Sequence, residues 1–372
     1  MPKRTNGEGS IFQMKNGLWR AEITIGFDGN SKRIVKKKSS KQLEVVQKWL
    51  NDERFHLSRG VNVKGSDYTL GTWLAFWLEN YKRPAIKART FDLYENMIEW
   101  YILPNYGNIR LPKLKGELIQ SLYNDMYKKG LSTSTIKNVK APLSQALDQA
   151  VKNELIYTNP CKNAIVPKIP PRKSRAFTVE EQLKFLDVLN DSTFSDFFRF
   201  AFQTGMRCGE IMSLTWHDVD FLEEKISVTK TVSVVEDRTD ERKSRYKTTL
   251  DIPKSDKSNR VIDINKGAMS VLEKRKLKSG EDFFIFPSKK GTPLQYRNVR
   301  RSFIEFLEKS GLSTDLTIHS TRHSFATRLI EKGANIKAVS ELLGHASIQI
   351  TLDVYGHVMP NLKKDTINLL DN

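Results

Sequence analysis

Strand-like alternation of apolar and polar positions opens the chain. Residues 10–14, 18–25 and 31–37 form three short runs of this kind. Asn16-Gly17 and Asp28-Gly29 separate them, and both pairs favour the φ > 0 turns that close hairpins. A helical rhythm follows over 41–56, with Val45, Val46, Trp49 and Leu50 on one face. Residues 1–65 are therefore expected to be a small α+β unit, a three-stranded sheet plus helix, with residues 60–66 as its exit linker. From 66 to 168 the rhythm is helical throughout. Leu70, Trp73, Leu74, Trp77, Leu78 and Tyr81 make one stripe, and Phe91, Tyr94, Ile98 and Tyr101 a second. Leu118, Ile119, Leu122, Tyr123 and Met126 make a third, and Ile136, Val139, Leu143, Leu147 and Val151 a fourth. Pro104, Gly107 and Pro112 divide the first pair of stripes from the second, and Pro142 inside the last predicts a kink or a later start. This reads as an all-α helical bundle.

Prolines 167, 170 and 171 mark residues 165–174 as a stiff linker. Thr178-Val179-Glu180-Glu181 then reads as a capping box opening a third domain, 175–372, mixed α+β and mainly helical. Strands are expected at 225–235, 246–252 and 260–264, with a charged hairpin tip at 236–244. Helices are expected at 266–276, 296–309, 319–332, 336–343 and 348–355.

Charge changes this picture more than size does. The 372 residues carry 61 Lys+Arg against 43 Asp+Glu, a net charge of +18, which points to a polyanion. Lys32, Arg33, Lys36, Lys37, Lys38 and Lys41 crowd the third strand and its exit, either as protection of a solvated edge or as a phosphate-contacting face. Lys82, Arg83, Lys87, Arg89, Lys137 and Lys140 lie on or between the bundle helices. Two cysteines exclude a disulfide scaffold and a Cys-rich zinc site. No apolar run approaches the ~20 residues of a membrane helix, and no signal peptide is visible, so a cytoplasmic protein without membrane partners is expected.

Four short motifs in the last domain carry chemistry. Thr204-Gly205-Met206-Arg207-Cys208-Gly209-Glu210 puts an arginine at a helix start, where anions are favoured. His319-Ser320-Thr321-Arg322-His323 puts His319 and Arg322 on one helical face. His319 and His323 have zinc-like spacing, but Ser320 stands where an HExxH protease needs Glu, and Asp315 is the only close acid. Leu342-Leu343-Gly344-His345 reads as a helix end. Tyr355 follows ten residues after His345, and a nucleophilic tyrosine needs positive charge nearby, since phenol ionises near pH ~10.

Arginine, then HxxR, then LGH, then tyrosine resembles the tyrosine recombinase (phage integrase) family in order and spacing. The resemblance spans the chain. Residues 1–65 are similar to an arm-type DNA-binding domain, 66–168 to a core-binding (SAM-like) domain, and 175–372 to the catalytic domain. It implies a site-specific recombinase that integrates and excises a prophage or conjugative transposon through a 3′-phosphotyrosine intermediate and a Holliday junction. Tyr355 would be the nucleophile, Arg207 and Arg322 the phosphate clamp, and His319 an acid/base. His345 would be a phosphate hydrogen-bond donor and Glu210 a brace around Arg207. The family's hairpin lysine falls on Lys254, with Lys257 as rival, in the turn 253–260. No ATP, metal or other cofactor is implied. The implied partners are double-stranded DNA at core and arm attachment sites, three further copies in a homotetramer, a host DNA-bending protein and an excision factor, in the nucleoid of a bacterial host. The tail 356–372 carries Leu362, Ile367, Leu369 and Leu370, which would dock on the same protomer or on a neighbour.

Overall fold

The computed structural model describes residues 9–27, 33–58, 68–170, 175–238, 246–251, 259–278 and 283–355. The side chains of 25–27, 34, 55–58, 246, 354 and 355 lie outside that description. So do Lys32, Lys254, Lys257, the linker 60–66 and the tail 356–372. The chain divides into two compact units, 1–171 and 172–372.

In the first unit, β1 (Ser10–Gln13), β2 (Trp19–Phe27) and β3 (Arg33–Ser40) form an antiparallel sheet in that order. Ala21 and Ile23 of β2 face Val46 and Leu50 of α1 (Leu43–Ser58), and these four make the local core. Register matters here. Ala21 pairs with Lys38 and Ile23 with Lys36, whereas Glu22 pairs with Lys37 and Arg20 with Ser39. Paired residues share a face, so Lys36 and Lys38 lie on the helix side and Lys37 and Arg20 on the open side. Lys36 reaches Glu53 of α1 at 3.1 Å.

The bundle has its own core. Helix α2 (Leu70–Trp77) continues into a π-helical turn, Leu78–Lys82, and α3 (Ala88–Met97) into another, Ile98–Ile102, leading to the short α4 (Leu103–Tyr106). Helices α5 (Gly116–Lys128) and α6 (Thr133–Lys152) complete it. Trp73, Trp77, Phe91, Ile119, Tyr123, Ile136, Val139, Leu143 and Leu147 are buried together. Helix α6 runs through Pro142 uninterrupted. Burying Ile136, Val139, Leu143 and Leu147 offsets the roughly 3 kcal/mol an internal proline costs. The proline-rich segment is tied to the bundle at its start. Gln120 both accepts from the Ile165 N–H (2.8 Å) and donates to its carbonyl (2.9 Å). Thr133 Oγ1 accepts from the Ile169 N–H at 2.7 Å.

In the second unit, α7 (Val179–Asp187) opens on the expected capping box of Thr178 and Glu181. Helix α8 (Thr193–Thr204) buries Phe197, Phe198, Phe200 and Phe202. These meet Phe177, Phe185, Phe286, Phe303 and Phe306, mostly edge to face. Helix α9 (Cys208–Ser213) leads into the strands. The apolar run 225–235 is two strands, not one: β5 (Lys225–Val228) joins β4 (Val219–Asp220) and β8 (Arg260–Asp263), while β6 (Thr231–Glu236) pairs with β7 (Tyr246–Asp251). Thr229 and Lys230 separate the two strands, and Ser213 Oγ donates to the Lys230 carbonyl at the break (2.9 Å). β6 and β7 pair antiparallel on either side of the expected charged tip, of which 239–245 fall outside the described residues. The expected hairpin across 253–260 differs, because β7 pairs with β6 and β8 with β5. Helices α10 (Lys266–Lys278), α11 (Tyr296–Lys309), α12 (Ile318–Glu331), α13 (Ile336–Leu343) and α14 (Ile348–Tyr355) follow as the periodicity predicts.

Candidate active site

Helix α8 ends at Gly205, whose φ of 62° is left-handed. A Cβ there would sit 2.4 Å from Phe325 Cδ1, so conformation and space both require glycine. The turn delivers Arg207 to the start of α9. Glu210, almost fully buried, accepts from both the backbone N–H and Nη1 of Arg207, each at 2.8 Å. Burial alone raises the Glu210 carboxyl. Hydrogen bonding and charge from Arg260, with the charge of Arg207, outweigh that and hold it below the ordinary glutamate value.

Helix α12 presents His319 and Arg322 one turn apart. Arg322 is 2% exposed, and its guanidinium donates to the carbonyls of Gly205 (2.9 Å) and Leu343 (2.7 Å). Helix α13 ends in a left-handed cap at Gly344, with the His345 N–H returning to the Ser340 carbonyl at 3.1 Å. Three consecutive carbonyls at this end are each taken by a different arginine. Leu342 accepts from Arg260 Nε (2.8 Å), Leu343 from Arg322 and Gly344 from Arg207 Nη2 (3.0 Å). The last carbonyls of a helix lack intrahelical partners and carry its negative end, so they gather cations. Arg207 remains 39% exposed in its side chain, which leaves it open to a ligand.

The histidines sit in this positive field. Burial, then the charges of His323, Arg322 and Arg207, push His319 down to about 4. Burial, then Arg322, Arg207, His319 and Arg260, push His345 down to about 4 as well. Both are therefore neutral imidazoles near pH 7. His345 Nδ1 shares a 2.8 Å hydrogen bond with the buried Thr351 hydroxyl of α14. The His323 ring stands edge-on to His319 at 4.7 Å. Asp315, the nearest acid in sequence, accepts from Arg175 at 2.8 Å.

Arg207, Glu210, His319, Arg322 and His345 are thus brought together. Tyr355 is the last residue of α14, six positions after Gln349 and one turn beyond Thr351. Lys254 and Lys257 fall outside the described residues. Among the expected DNA-contacting residues, Lys37 pairs with Glu22 (3.2 Å), and Arg33 donates to Thr24 (2.8 Å). Arg83 pairs with Glu79 and covers the Phe91 ring (4.2 Å), Lys82 lies over Trp77 (5.2 Å), and Lys140 donates to the Ala164 carbonyl (3.3 Å). Lys38, Lys87, Arg89 and Lys137 are exposed. Two residues of the site escaped the sequence reading. Arg260 and Thr351 carry no local signal, because only tertiary contacts reveal their partners. No helix among the described residues is long and apolar enough to cross a membrane.

Residues 175–361 match the model of the phage integrase family, and residues 69–127 match that of the phage integrase N-terminal SAM-like domain. A tyrosine recombinase XerC-like protein of Caldanaerobacter subterraneus subsp. tengcongensis is 32% identical, over 100% of this chain and 99% of that protein. The ICEBs1 integrase of Bacillus subtilis is 27% identical, over 98% and 99%. In fold, the chain is similar to the Tn1549 transposon integrase in complex with a circular intermediate DNA, with a TM-score of 0.69 at 22% identity over 82% of this chain and 100% of that one. It is also similar to a lambda integrase in a tetramer bound to a Holliday junction, with a TM-score of 0.60 at 22% identity over 91% and 95%. With residues 175–361 matched by the family model and the whole length matched by a 32% identical recombinase, the chain belongs to the phage integrase family and is a tyrosine-type site-specific recombinase.

Proposed function

We propose that Tyr355 cuts DNA at an attachment site of a mobile element and that Arg207, Arg322, His319 and His345 serve the scissile phosphate. The Tyr355 phenolate oxygen bonds to phosphorus as the bond from phosphorus to the 5′-oxygen breaks. The phenol proton passes to His319, and the departing 5′-oxygen takes a proton from Lys254. Attack by the 5′-hydroxyl of a partner strand reverses these transfers, so the phosphodiester is restored without an energy source. Arg207 and Arg322 offset the charge that grows on the non-bridging oxygens. His345, neutral and oriented by Thr351, donates to one of them.

The observation that carries this reading is the convergence of three arginines on the carboxyl end of α13, directly before His345. Such a cluster is oriented before any phosphate arrives, and its exposed member is Arg207. Burial and neighbouring charge keep His319 unprotonated at neutral pH, which leaves its ring free to accept the phenol proton. In this reading residues 1–65 bind arm sites, 66–168 and 175–372 bind the core site, and four copies exchange strands across a Holliday junction. A host bending protein and an excision factor would set the direction.

The test is a nicked suicide duplex of the element's own attachment site, incubated in chelator. The wild-type chain is expected to give a denaturant-stable protein–DNA adduct, and Tyr355→Phe is expected to bind without forming one. An adduct with Tyr355→Phe sinks the assignment.

A further inference from the structure

Arg260 has no part in the reaction above, yet it touches two of the segments that build the site. Its guanidinium meets both oxygens of Glu210, Nη1 to Oε1 at 3.1 Å and Nη2 to Oε2 at 2.9 Å. Its Nε holds the Leu342 carbonyl at 2.8 Å. The same two Glu210 oxygens accept from Arg207, one from its Nη1 and one from its backbone N–H. The side chains of Arg260 and Glu210 are 7% and 3% exposed. Packing is equally close at Gly344, where an added Cβ would lie 3.0 Å from Arg260 Cδ. Glu210 is thus a shared base plate, with Arg207 on one side and Arg260 on the other, and Arg260 bolts that plate to the end of α13.

A buried ion pair is a poor source of stability, because desolvation cancels much of its attraction. It is an effective spacer, since planar forks fix both distance and angle. We propose that Arg260 is a positioning residue for strand cleavage: it sets Arg207 against the α13 terminus that carries His345. This deepens the reading of the site given above and rests on it. Lysine cannot replace it, because one ammonium cannot span two carboxylate oxygens and a carbonyl in a fixed plane.

The full-length chain carrying Arg260→Lys is compared with wild type, Arg207→Ala and Tyr355→Phe on two suicide duplexes. One has a phosphodiester at the cleaved position. The other has a methylphosphonate, which bears no charge for Arg207 to offset. Arg260→Lys is expected to bind DNA within about twofold of wild type and to cleave the phosphodiester about 10- to 100-fold more slowly. On the methylphosphonate its deficit should shrink, as that of Arg207→Ala does. Glu210→Gln should show the same pattern, and the double variant should be no slower than the slower single one. Equal deficits on both duplexes, or a loss that only tracks the unfolded fraction seen by circular dichroism, overturn the proposal. Wild-type cleavage by Arg260→Lys, with Tyr355→Phe inactive, overturns it and leaves the functional reading intact. An adduct from Tyr355→Phe overturns the functional reading itself.

Discussion

At the scale of single residues, the site is governed by charge held out of water. His319 and His345 have proton affinities lowered to about 4, in each case by burial first and neighbouring cations second. The unfolded chain takes up these protons nearer the ordinary histidine value of about 6.5, so acid favours unfolding. The stabilisation is complete above pH ~6.5 and is lost as pH falls toward 4. Urea unfolding from pH 7 to pH 4 should show this slope, and His319→Asn should flatten it. Cleavage should be level around neutrality, and its acid limb should lie well below pH ~6.5, because His319 is already a free base there. A limb at pH ~6.5 or above would contradict the buried, cation-flanked setting of that ring.

At the scale of elements, α12 is the hinge between chemistry and core. One side carries His319 and Arg322. The other is stitched to the segment before α7: the Phe177 N–H donates to Ser324 Oγ at 2.8 Å, and Arg328 Nη2 donates to the Phe177 carbonyl at 2.8 Å. Arg175 adds a bridge to Glu181 and Asp315, whose carboxyls it holds below their ordinary range. Ser324→Ala strands a buried N–H and should cost about 1–3 kcal/mol in equilibrium unfolding. Gly205→Ala must bear a left-handed backbone and a collision with Phe325. A loss of about 2–4 kcal/mol is expected, read as a lower denaturant midpoint. Helix periodicity foretold α11, α13 and α14 to the residue; α11 and α13 each bury a simple stripe, whereas α14 exposes Ile348, Ile350 and Leu352 and buries Thr351. The strands between Lys225 and Asp263 were harder to read. Their apolar residues allow several pairings, and only packing beneath α9 and beside β8 selects β5 with β8 and β6 with β7.

At the scale of the whole molecule, the charge of +18 divides by location. Arg207, Arg260 and Arg322 are spent on carbonyls and a carboxylate inside one domain. Lys36, Lys37 and Arg83 are engaged with acidic neighbours. Lys87, Arg89 and Lys137 are also exposed, and in the proposed reading they meet the DNA backbone. Replacing these three by glutamine should weaken binding uniformly across sequences. It should also reduce the slope of log affinity against log salt by about 0.9 for each phosphate that is no longer neutralised. Filter binding at several salt concentrations measures this, and an unchanged slope would remove them from the interface.

The sequence by itself determined the family, the order of the helices and the motifs that carry the candidate site residues. Those properties reside in local periodicity and in short motifs whose spacing survives without knowledge of the partners. Only the tertiary structure decided which arginines share a helix end, which lysines face α1, and which way the strands pair. Each of these depends on groups distant in the chain, such as Arg260 meeting Glu210 and Leu342. A single sequence holds no local trace of such a pairing, because its energy arises only when burial removes the water that would otherwise satisfy both partners.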